Sequence, residues 1–431
     1  MLSHDRSTSS QTAGRAGIFE EWHRMTNRQD LPLAGIRVAE FGQFIAAPGA
    51  AMMLADLGAD VVKVEALRGD SARRFDGTSP QSPMYLAYNR GKRGIALDLR
   101  TPGGLDAARR LALASDVVLH NTRAGVMEAL GLDAATLRAA RPDLIHASIS
   151  GFGTRGPSRT RPGLDIAAQA ESGMMSVTGE AGGQPLKAGF ALIDAATALA
   201  TGNAILAALF RRERTGAGET IETSLLSVGV QMQAQLWAEY QCSGALPVRS
   251  GNSQPKAAPA ADVIAVADGH IVLSAYLDEH WTRLCEAIGQ PALAHDARFA
   301  CNALRVQNRP ALLAVLHDAM RHLSGDAARA LLERHQVVVG VVRDYHQVNA
   351  SADVRASGVL QAVDDGEGGQ LELPGLPFTM ASMPAGAMPA VPRLGQHTTE
   401  VLAELGFSAA EIHTMARAGA IGVEQAQQEP A

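Results

Sequence analysis

One aspartate stands where it could do chemistry. Asp194 opens an alanine-rich segment, about Ala195–Arg212, that predicts a long helix. An aspartate there is an expected N-cap, because its carboxylate accepts amide protons that the first turn leaves free. The position also suits a carboxylate nucleophile, since an unperturbed aspartate is ionised at neutral pH and the positive end of the helix keeps it charged. The two interpretations are compatible.

Four polar residues follow predicted strands in the first part of the chain. The carboxyl ends of parallel strands form the ligand-binding edge of an open α/β sheet, so side chains there meet the same ligand. These residues are either ordinary polar residues of surface loops or contacts to the nucleotide and phosphates of a large anionic cofactor. They are Arg100, His120, Asn121 and Arg123.

A glycine motif of the form G-x-G-x-x-G occupies Gly151–Gly156, directly after the predicted strand Leu144–Ser150. A dinucleotide-binding enzyme needs a helix that opens at these glycines, because its amino end holds the pyrophosphate. Pro157 and Pro162 follow instead, in a loop that runs to Gly163, so no helix starts in register. We therefore interpret the motif as a glycine-rich loop for another ligand, with an NAD-dependent oxidoreductase as a weaker alternative.

The composition disfavours several other kinds of site. The formal net charge of −6 argues against a nucleic-acid binder, because such proteins carry basic surfaces. The histidines lack the H-x-x-x-H and H-E-x-x-H spacings of zinc sites, so no metal is expected. Neither a G-x-S-x-G motif nor a Walker loop occurs.

Cysteine usage and hydropathy indicate a cytoplasmic protein. Cys242, Cys285 and Cys301 are too few for a disulfide framework. The N-terminal residues lack the apolar core of a signal peptide and are predicted to be disordered or extended. The apolar stretch Phe190–Phe210 contains Asp194 and many alanines, so we interpret it as a buried helix rather than a membrane span.

The segments around these residues predict an α/β fold. Buried strands alternate with helices from residue 36 to residue 150, a pattern typical of βαβ units and a parallel sheet. Asp268-Gly269, between two apolar runs, predicts a hairpin in a smaller α+β domain. We expect an open Rossmann-like parallel sheet in the large domain. The predicted boundaries are 1–30 for the N-terminal extension, 31–225 for the first part of the large domain, 226–250 for a linker helix and loop, 251–345 for the small domain and 346–431 for the C-terminal segment.

Several ordered motifs resemble those of one known family. From about Leu31 to the C-terminus, the chain resembles family III CoA-transferases, the group of formyl-CoA and crotonobetainyl-CoA transferases that also contains α-methylacyl-CoA racemases. Each motif alone is weak, but together they are very specific. They include LAGIRVAEFGQFIAAPGAAMMLADLGADVVKVE, NRGKRGIALDLRTPGG, SDVVLHNTRAGVMEALGL, PDLIHASISGFGTRGP, RPGLDIAAQAESGMMSVTG, ALIDAATALATGNAILAALFRRERTGAGETIETSLL and RLGQHTTEVLAELG.

The resemblance implies roles for individual residues. The family's catalytic aspartate lies at the start of the helix before an R-x-R-x-G-x-G turn, and Asp194 has that place ahead of Arg212–Gly218. The implied activity moves coenzyme A from an acyl-CoA donor to a carboxylic acid acceptor, through an anhydride and an aspartyl-CoA thioester on Asp194. Coenzyme A is then a substrate, and no tightly bound cofactor is expected. The positions that match the family's CoA site are Ile45, Ala46, Leu97, Arg100, Asn121, Thr122, Arg123, Gly163, Leu164 and Asp165.

The resemblance also implies a homodimer of two interlocked chains. In it, the C-terminal segment returns to complete the large domain, and both subunits line the cleft. Three departures from the family pattern stand out. Ala66 replaces a basic residue of some members, Thr122 follows Asn121 where Asn-Phe is common, and 250–255 has a single glycine where oxalate-type members have a run. The last departure disfavours formyl or oxalyl substrates.

Two alternatives remain within and beside the family. An acyl-CoA racemase or isomerase needs bases on both sides of the α-carbon. The family's racemases place a histidine where this chain has Leu164, so one base is missing. A non-catalytic CoA-binding protein is the other alternative, and the presence of Asp194 disfavours it.

Overall fold

The computed structural model describes residues 30–75, 81–252, 260–275, 277–366, 368–381, 383 and 388–424. These residues form two compact units, each built from separate segments of the chain. The first unit holds the described residues up to Ser172, Gly189–Met232, and the chain from Arg355 onward. The second unit holds Gly173–Ala188 and Gln233–Val354. Apart from Asp30, the predicted N-terminal extension lies outside the described residues.

A seven-stranded sheet organises the described part of the first unit. Its strands are β1 (Arg37–Phe41), β2 (Asp60–Glu65), β3 (Arg93–Leu97), β4 (Val117–His120), β5 (Ile145–Ser150), β6 (Glu219–Ser224) and, after the second unit, β12 (Ile421–Gly422). The order is β12-β3-β2-β1-β4-β5-β6, with β1 to β6 parallel and β12 antiparallel to β3. This is the strand order of a doubly wound Rossmann fold, with its switch point between β1 and β4. The predicted parallel sheet is confirmed.

Helices connect these strands and supply the rest of the core. Leu111 from the third helix, and Leu402 and Ile412 from the C-terminal helices, pack in one apolar cluster with sheet residues such as Val118. The C-terminal segment is therefore part of the first unit's core. The α-helices among the described residues are α1 (Ala46–Asp56), α2 (Pro83–Asn89), α3 (Pro102–Ala114), α4 (Val126–Leu130), α5 (Ala134–Ala140), α6 (Asp165–Glu171), α7 (Met174–Val177), α8 (Leu192–Thr215), α9 (Leu225–Gln231), α10 (Ala234–Ser243), α11 (Asp278–Ala287), α12 (Asn302–Gln307), α13 (Arg309–Met320), α14 (Gly325–Arg334), α15 (Tyr345–Asn349), α16 (Ala352–Ser357), α17 (Thr398–Glu404) and α18 (Ala409–Arg417).

The sequence pattern misses β6 and β12. Strand β6 lies at the edge of the sheet and contains one apolar residue, Ile221, so it lacks the apolar run of a central parallel strand. Strand β12 spans only two residues and depends on its partner β3. Where the sequence predicts one linker helix within 226–250, the structure has two helices, α9 and α10, divided at Met232–Gln233.

Helices α1 and α8 lie side by side and run in the same direction. A Cβ placed on Gly49 of α1 would lie 3.0 Å from the Cβ of Ala198, and one placed on Gly202 of α8 would lie 3.4 Å from Cε of Met53. Glycine on each helix thus allows a close approach, and the amino ends of both helices lie at the same end of the pair. Within the described residues, α8 is the helix long and apolar enough to cross a membrane, yet its buried residues belong to this core.

The second unit contains a small antiparallel sheet with helices. Its strands are β7 (Asp262–Val266), β8 (Gly269–Ser274) and β9 (Val338–Val341), paired in that order. The hairpin predicted at Asp268-Gly269 is confirmed by the pairing of β7 with β8. Helices α11, α13 and α14 supply Leu284, Leu316 and Leu332 to its core. A further hairpin, β10 (Leu360–Asp364) with β11 (Gln370–Pro374), follows in the first unit.

Candidate active site

A cavity of about 470 Å³ opens at the carboxyl ends of the central strands. Residues after β1, β2, β3 and β4 line it, as expected for the ligand crevice at the switch point of this fold. Three of the predicted CoA-site residues line this cavity: Leu97, Arg100 and Thr122. The Arg100 side chain is mostly exposed and pairs with Asp98 at 2.8 Å. Its lining combines the apolar side chains of Leu97, Leu99 and Met127 with the polar groups of Arg100 and Thr122.

The loop after β2 contributes a whole side of this cavity, from Glu65 to Ser71. It includes Arg68, a basic residue two positions after Ala66. The sequence shows Ala66 here as a departure from the family pattern, but it predicts no CoA-site residue in this loop. The pattern that could have found it is the G-D pair at Gly69 and Asp70, because a turn directly after a central strand lies at the ligand edge.

Asn121 holds two loops together at the same edge. Its side-chain oxygen accepts a hydrogen bond from the Gln43 amide, and its side-chain nitrogen donates to the Gln43 carbonyl, both at 2.8 Å. His120 is buried against His146, with ring centroids 5.1 Å apart. Burial, and then the neighbouring His146, lower the pKa of His120 to about 3, so it stays neutral. Arg123 is exposed on the same loop.

A buried charge network lies beneath the cavity. Lys63 donates to Oε1 of Glu40 at 3.0 Å and lies 3.0 Å from Oδ2 of Asp70. Lys92 donates to Oε2 of Glu40 at 2.7 Å. These four side chains are essentially inaccessible to solvent, and each cation faces a carboxylate. Such pairing offsets the loss of hydration that burial imposes on every charge.

A second group of buried charges extends this network. Nε and Nη2 of Arg73 each donate a hydrogen bond to Glu65 at 2.7 Å, in a bidentate pair. The Tyr85 hydroxyl donates to Glu65 at 3.1 Å and accepts from Arg73. Burial by itself would raise the pKa of Glu65, but the hydrogen bond and charge of Arg73, with the charge of Lys63 and the Asp70 amide, together lower it. The network therefore fixes the loop that carries Arg68.

Asp194 lies in the first turn of α8, three residues after the N-cap residue Ala191. The prediction that Asp194 itself caps the helix is wrong. The carboxylate of Asp165 takes that role, because its Oδ1 accepts hydrogen bonds from the amides of Ile193 at 2.8 Å and Asp194 at 3.1 Å. Its other oxygen accepts from Gln169. The Asp194 carboxylate is thereby left without a hydrogen bond from the described residues.

The environment of Asp194 changes its ionisation. Burial, and then the negative charge of Asp165, raise the pKa of Asp194 to about 7. This overturns the expectation of an unperturbed carboxylate that is fully ionised at neutral pH. A carboxyl whose pKa is raised by burial and by a like charge is typical of a functional site. The carboxylate also becomes more nucleophilic, because basicity and nucleophilicity rise together.

The parallel packing of α1 and α8 brings further predicted residues to the same place. Gly49 contacts Ala198, so Ile45 and Ala46, one turn earlier on α1, lie level with the turn that carries Asp194. The first turn of a helix presents backbone amides without intrahelical acceptors. The start of α1 thus adds donors and a positive helix end beside the carboxylate.

The glycine-rich loop ends at this site. As predicted, no helix begins at Gly151–Gly156, and α6 starts only at Asp165. A Cβ placed on Gly151 would lie 2.6 Å from the Cα of Gly163, so the two ends of the loop touch through glycine. This contact delivers Asp165 to the amino end of α8. Leu164 beside it is largely exposed and carries no titratable group.

Residues 33–398 match the sequence model of CoA-transferase family III. The chain belongs to this family. It is 37% identical over 392 residues to the succinate–glutarate CoA-transferase of Agrobacterium fabrum, an alignment that covers 88% of the chain and 97% of that protein. Identity to the succinyl-CoA:mesaconate CoA-transferase of Haloarcula marismortui is 36% over 385 residues, covering 87% of the chain and 96% of that protein.

Solved structures agree with this family III assignment. A CAIB/BAIF family protein from Brucella suis superposes with a TM-score of 0.78 at 34% identity, covering 87% of the chain and 99% of that structure. The family III chain is thus an enzyme that transfers CoA, and CoA thioesters are its substrates. The structure divides the site residues predicted from the sequence into one group at the cavity and one group around Asp194.

Proposed function

We propose that Asp194 is the nucleophile of this CoA-transferase and carries the acyl group and then CoA during transfer. One observation supports the proposal above all others. Asp194 is half-buried, its pKa is raised to about 7, and no described residue hydrogen-bonds to its carboxylate. A carboxylate kept for structure is normally paired or hydrogen-bonded when buried.

The chemistry proceeds by four acyl transfers. An Asp194 oxygen attacks the thioester carbonyl of the donor, the C–S bond breaks, and CoA leaves as the thiolate with a mixed anhydride on Asp194. The thiolate sulfur then attacks Cγ of Asp194, and the donor acid leaves as a carboxylate. The acceptor carboxylate displaces the thiolate from the aspartyl-CoA thioester, and the thiolate finally attacks the acceptor's acyl carbon. Asp194 is restored without net proton transfer.

The surroundings of Asp194 suit this sequence. Backbone amides at the start of α1, with those of the glycine-rich loop, are suitable donors for the oxyanions that form at each attack. The half-buried position limits access of water, which would hydrolyse both intermediates. Asp165 keeps the first turn of α8 in place while its charge maintains the basicity of Asp194.

We further propose that the exchanged acids are dicarboxylic acids. The relatives named above act, by their names, on succinate with glutarate and on succinyl-CoA with mesaconate. A panel of acceptors with succinyl-CoA tests this part. Glutarate and mesaconate should exceed the monocarboxylate butyrate by at least about tenfold in kcat/KM, a difference of about 1.4 kcal/mol. Equal rates would contradict the assignment.

The working enzyme is proposed to be a cytoplasmic homodimer that binds no membrane. Its support is the family membership, together with a core position for the apolar helix α8. Light scattering at working concentration should give twice the mass of one chain, without dissociation on dilution. A monomer mass would contradict the interlocked arrangement.

The Asp194→Asn variant tests the nucleophile. We expect CoA transfer to fall by at least about 10³-fold while CoA still binds, because an amide cannot form the anhydride. Intact-protein mass after mixing wild-type protein with acyl-CoA should show a CoA adduct, and hydroxylamine should convert it to a hydroxamate at Asp194. Asp133→Asn is the matched control, since Asp133 caps α5 from an exposed position. Full turnover by Asp194→Asn would overturn the proposal.

A racemase assay distinguishes CoA transfer from the alternative activity, an acyl-CoA racemase with the same fold. A 2-methylacyl-CoA incubated in deuterated water should keep its α-hydrogen, because Leu164 offers no base. Enzyme-dependent deuterium uptake would instead show that a second base faces the α-carbon.

A further inference from the structure

A tyrosine stands beside the Asp194 turn. Tyr88, on α2, packs its ring against the point where α1 meets α8. A Cβ placed on Gly49 would lie 3.3 Å from Cδ1 of Tyr88 and 3.0 Å from the Cβ of Ala198. Ala198 follows Asp194 by one helical turn, so the phenol lies next to the face of α8 that carries the carboxylate.

The two tyrosines of α2 differ in how their hydroxyls are used. Tyr85 is fully buried, and its hydroxyl bonds to Glu65 and Arg73 within the charge network. Tyr88 is half-buried, and no described residue hydrogen-bonds to its hydroxyl. A tyrosine whose ring is packed and whose hydroxyl is free has a polar group available to a ligand.

Electrostatics decide what this hydroxyl can do. Burial, and then the negative charge of Asp194, raise the pKa of Tyr88 above its usual value. The phenol therefore stays protonated at neutral pH. It can donate a hydrogen bond but cannot serve as a base.

We propose that Tyr88 is a catalytic residue whose hydroxyl donates a hydrogen bond to the carbonyl oxygen of the Asp194 acyl group. The proposal rests on the aspartyl intermediates of the proposed function. When the CoA thiolate attacks Cγ of the anhydride, a C–S bond forms and the carbonyl electron pair moves onto oxygen. Tyr88 stabilises this oxyanion and keeps its proton. The pair then returns, the C–O bond to the donor acyl group breaks, and the donor carboxylate leaves.

The Tyr88→Phe variant removes the hydroxyl and retains the ring packed on Gly49. We expect kcat to fall by about 10- to 100-fold, in the range seen when one oxyanion donor is removed. The KM for acyl-CoA and the Tm should remain within error of wild type. Rapid-quench mass spectrometry should show slower formation of the aspartyl-CoA thioester. Tyr345→Phe is the matched control, because Tyr345 is almost fully exposed and the chemical change is the same.

A graded change separates hydrogen bonding from packing. Replacing Tyr88 with 3-fluorotyrosine keeps the hydroxyl, makes it more acidic and alters its size little. A more acidic hydroxyl is a stronger hydrogen-bond donor, so the rate of thioester formation should rise while the Tm stays constant. If Tyr88→Phe keeps the wild-type kcat while Asp194→Asn is inactive, the role of Tyr88 is overturned and the proposed function stands. Full transfer by Asp194→Asn would overturn the proposed function itself.

Discussion

Two groups of carboxylates in the first unit are buried in opposite ways. Beneath the cavity, Glu40 is inaccessible to solvent and accepts from both Lys63 and Lys92. Around α8, Asp194 is half-buried, faces a second carboxylate in Asp165, and has no cation among its described neighbours. One group has its charges compensated, and the other leaves a charge uncompensated.

This difference separates structure from chemistry. A compensated buried charge is stable in its ionised form and has no free lone pair for a substrate. An uncompensated buried carboxylate has a pKa near neutral pH and is available to react with a substrate. Its ionised form lowers the free energy of unfolding. The paired network holds the loops of the cavity, and the unpaired carboxylate is placed where both α1 and α8 begin.

Breaking the paired group should have the largest effect on stability. Glu40→Gln removes the negative charge from between Lys63 and Lys92, which leaves buried ammonium groups without their shared partner. We expect the free energy of unfolding to fall by about 3–5 kcal/mol. Urea denaturation measures the change. Asp106→Asn, in an exposed i,i+4 pair with Arg110, is the control and should cost less than about 1 kcal/mol. A similar loss of unfolding free energy in both variants would show that the buried pairs stabilise the protein no more than an exposed pair does.

Removing the unpaired charge should act in the opposite direction. The folded state holds a proton on Asp194 up to about pH 7, whereas the unfolded chain releases it near the ordinary aspartate pKa of 3.8. The ionised carboxylate therefore costs stability that grows as the pH rises from about 4 to about 7. We expect Asp194→Asn to raise the free energy of unfolding by about 1–3 kcal/mol at pH 8.

The pH dependence of this gain is its own control. At pH 5 the folded state keeps its proton on Asp194 while the unfolded chain has already lost it, so the advantage of Asp194→Asn should be somewhat less than half of its value at pH 8 and should vanish near pH 3. Thermal unfolding of wild type and Asp194→Asn, at equal protein concentration, measures this advantage at each pH. A variant that is less stable than wild type at pH 8 would mean that Asp194 is paired in solution.

The smallest expected effect concerns the like-charge neighbour. In wild type, kcat/KM should fall as the pH drops below about 7, because the nucleophile becomes protonated. Asp165→Asn keeps an oxygen for the amides of α8 but removes the charge, so the midpoint should move to lower pH. The shift is limited, since burial is the larger cause. At pH 6 the variant should retain a larger fraction of its own maximum than wild type does.

An unmoved midpoint in Asp165→Asn would show that burial alone sets the pKa of Asp194. Asp133→Asn again serves as the control, because it alters an exposed cap far from this carboxylate in the chain. Its pH profile should match that of wild type.

Much of the first unit could be predicted from the order of residues. Apolar strands alternating with helices predict the parallel sheet, since each segment carries its own periodicity. Strand β6 escaped prediction because an edge strand has less apolar character. At the site, Asp194 was selected correctly as a residue at a helix start, but its role as a cap was wrong because the cap comes from Asp165, 29 residues earlier.

By itself, the sequence determined the family, the strand and helix pattern, and the position of one carboxylate at the start of a long helix. Only the tertiary structure decided which charges are paired. Lys92 reaches Glu40 across 52 residues, and Asp165 reaches the α8 amides across the glycine contact of Gly151 with Gly163. Partners so distant in sequence meet because the parallel sheet brings separate segments side by side and because glycine lets the ends of a loop touch. These contacts between distant residues set the charge compensation, and with it the pKa, of each carboxylate.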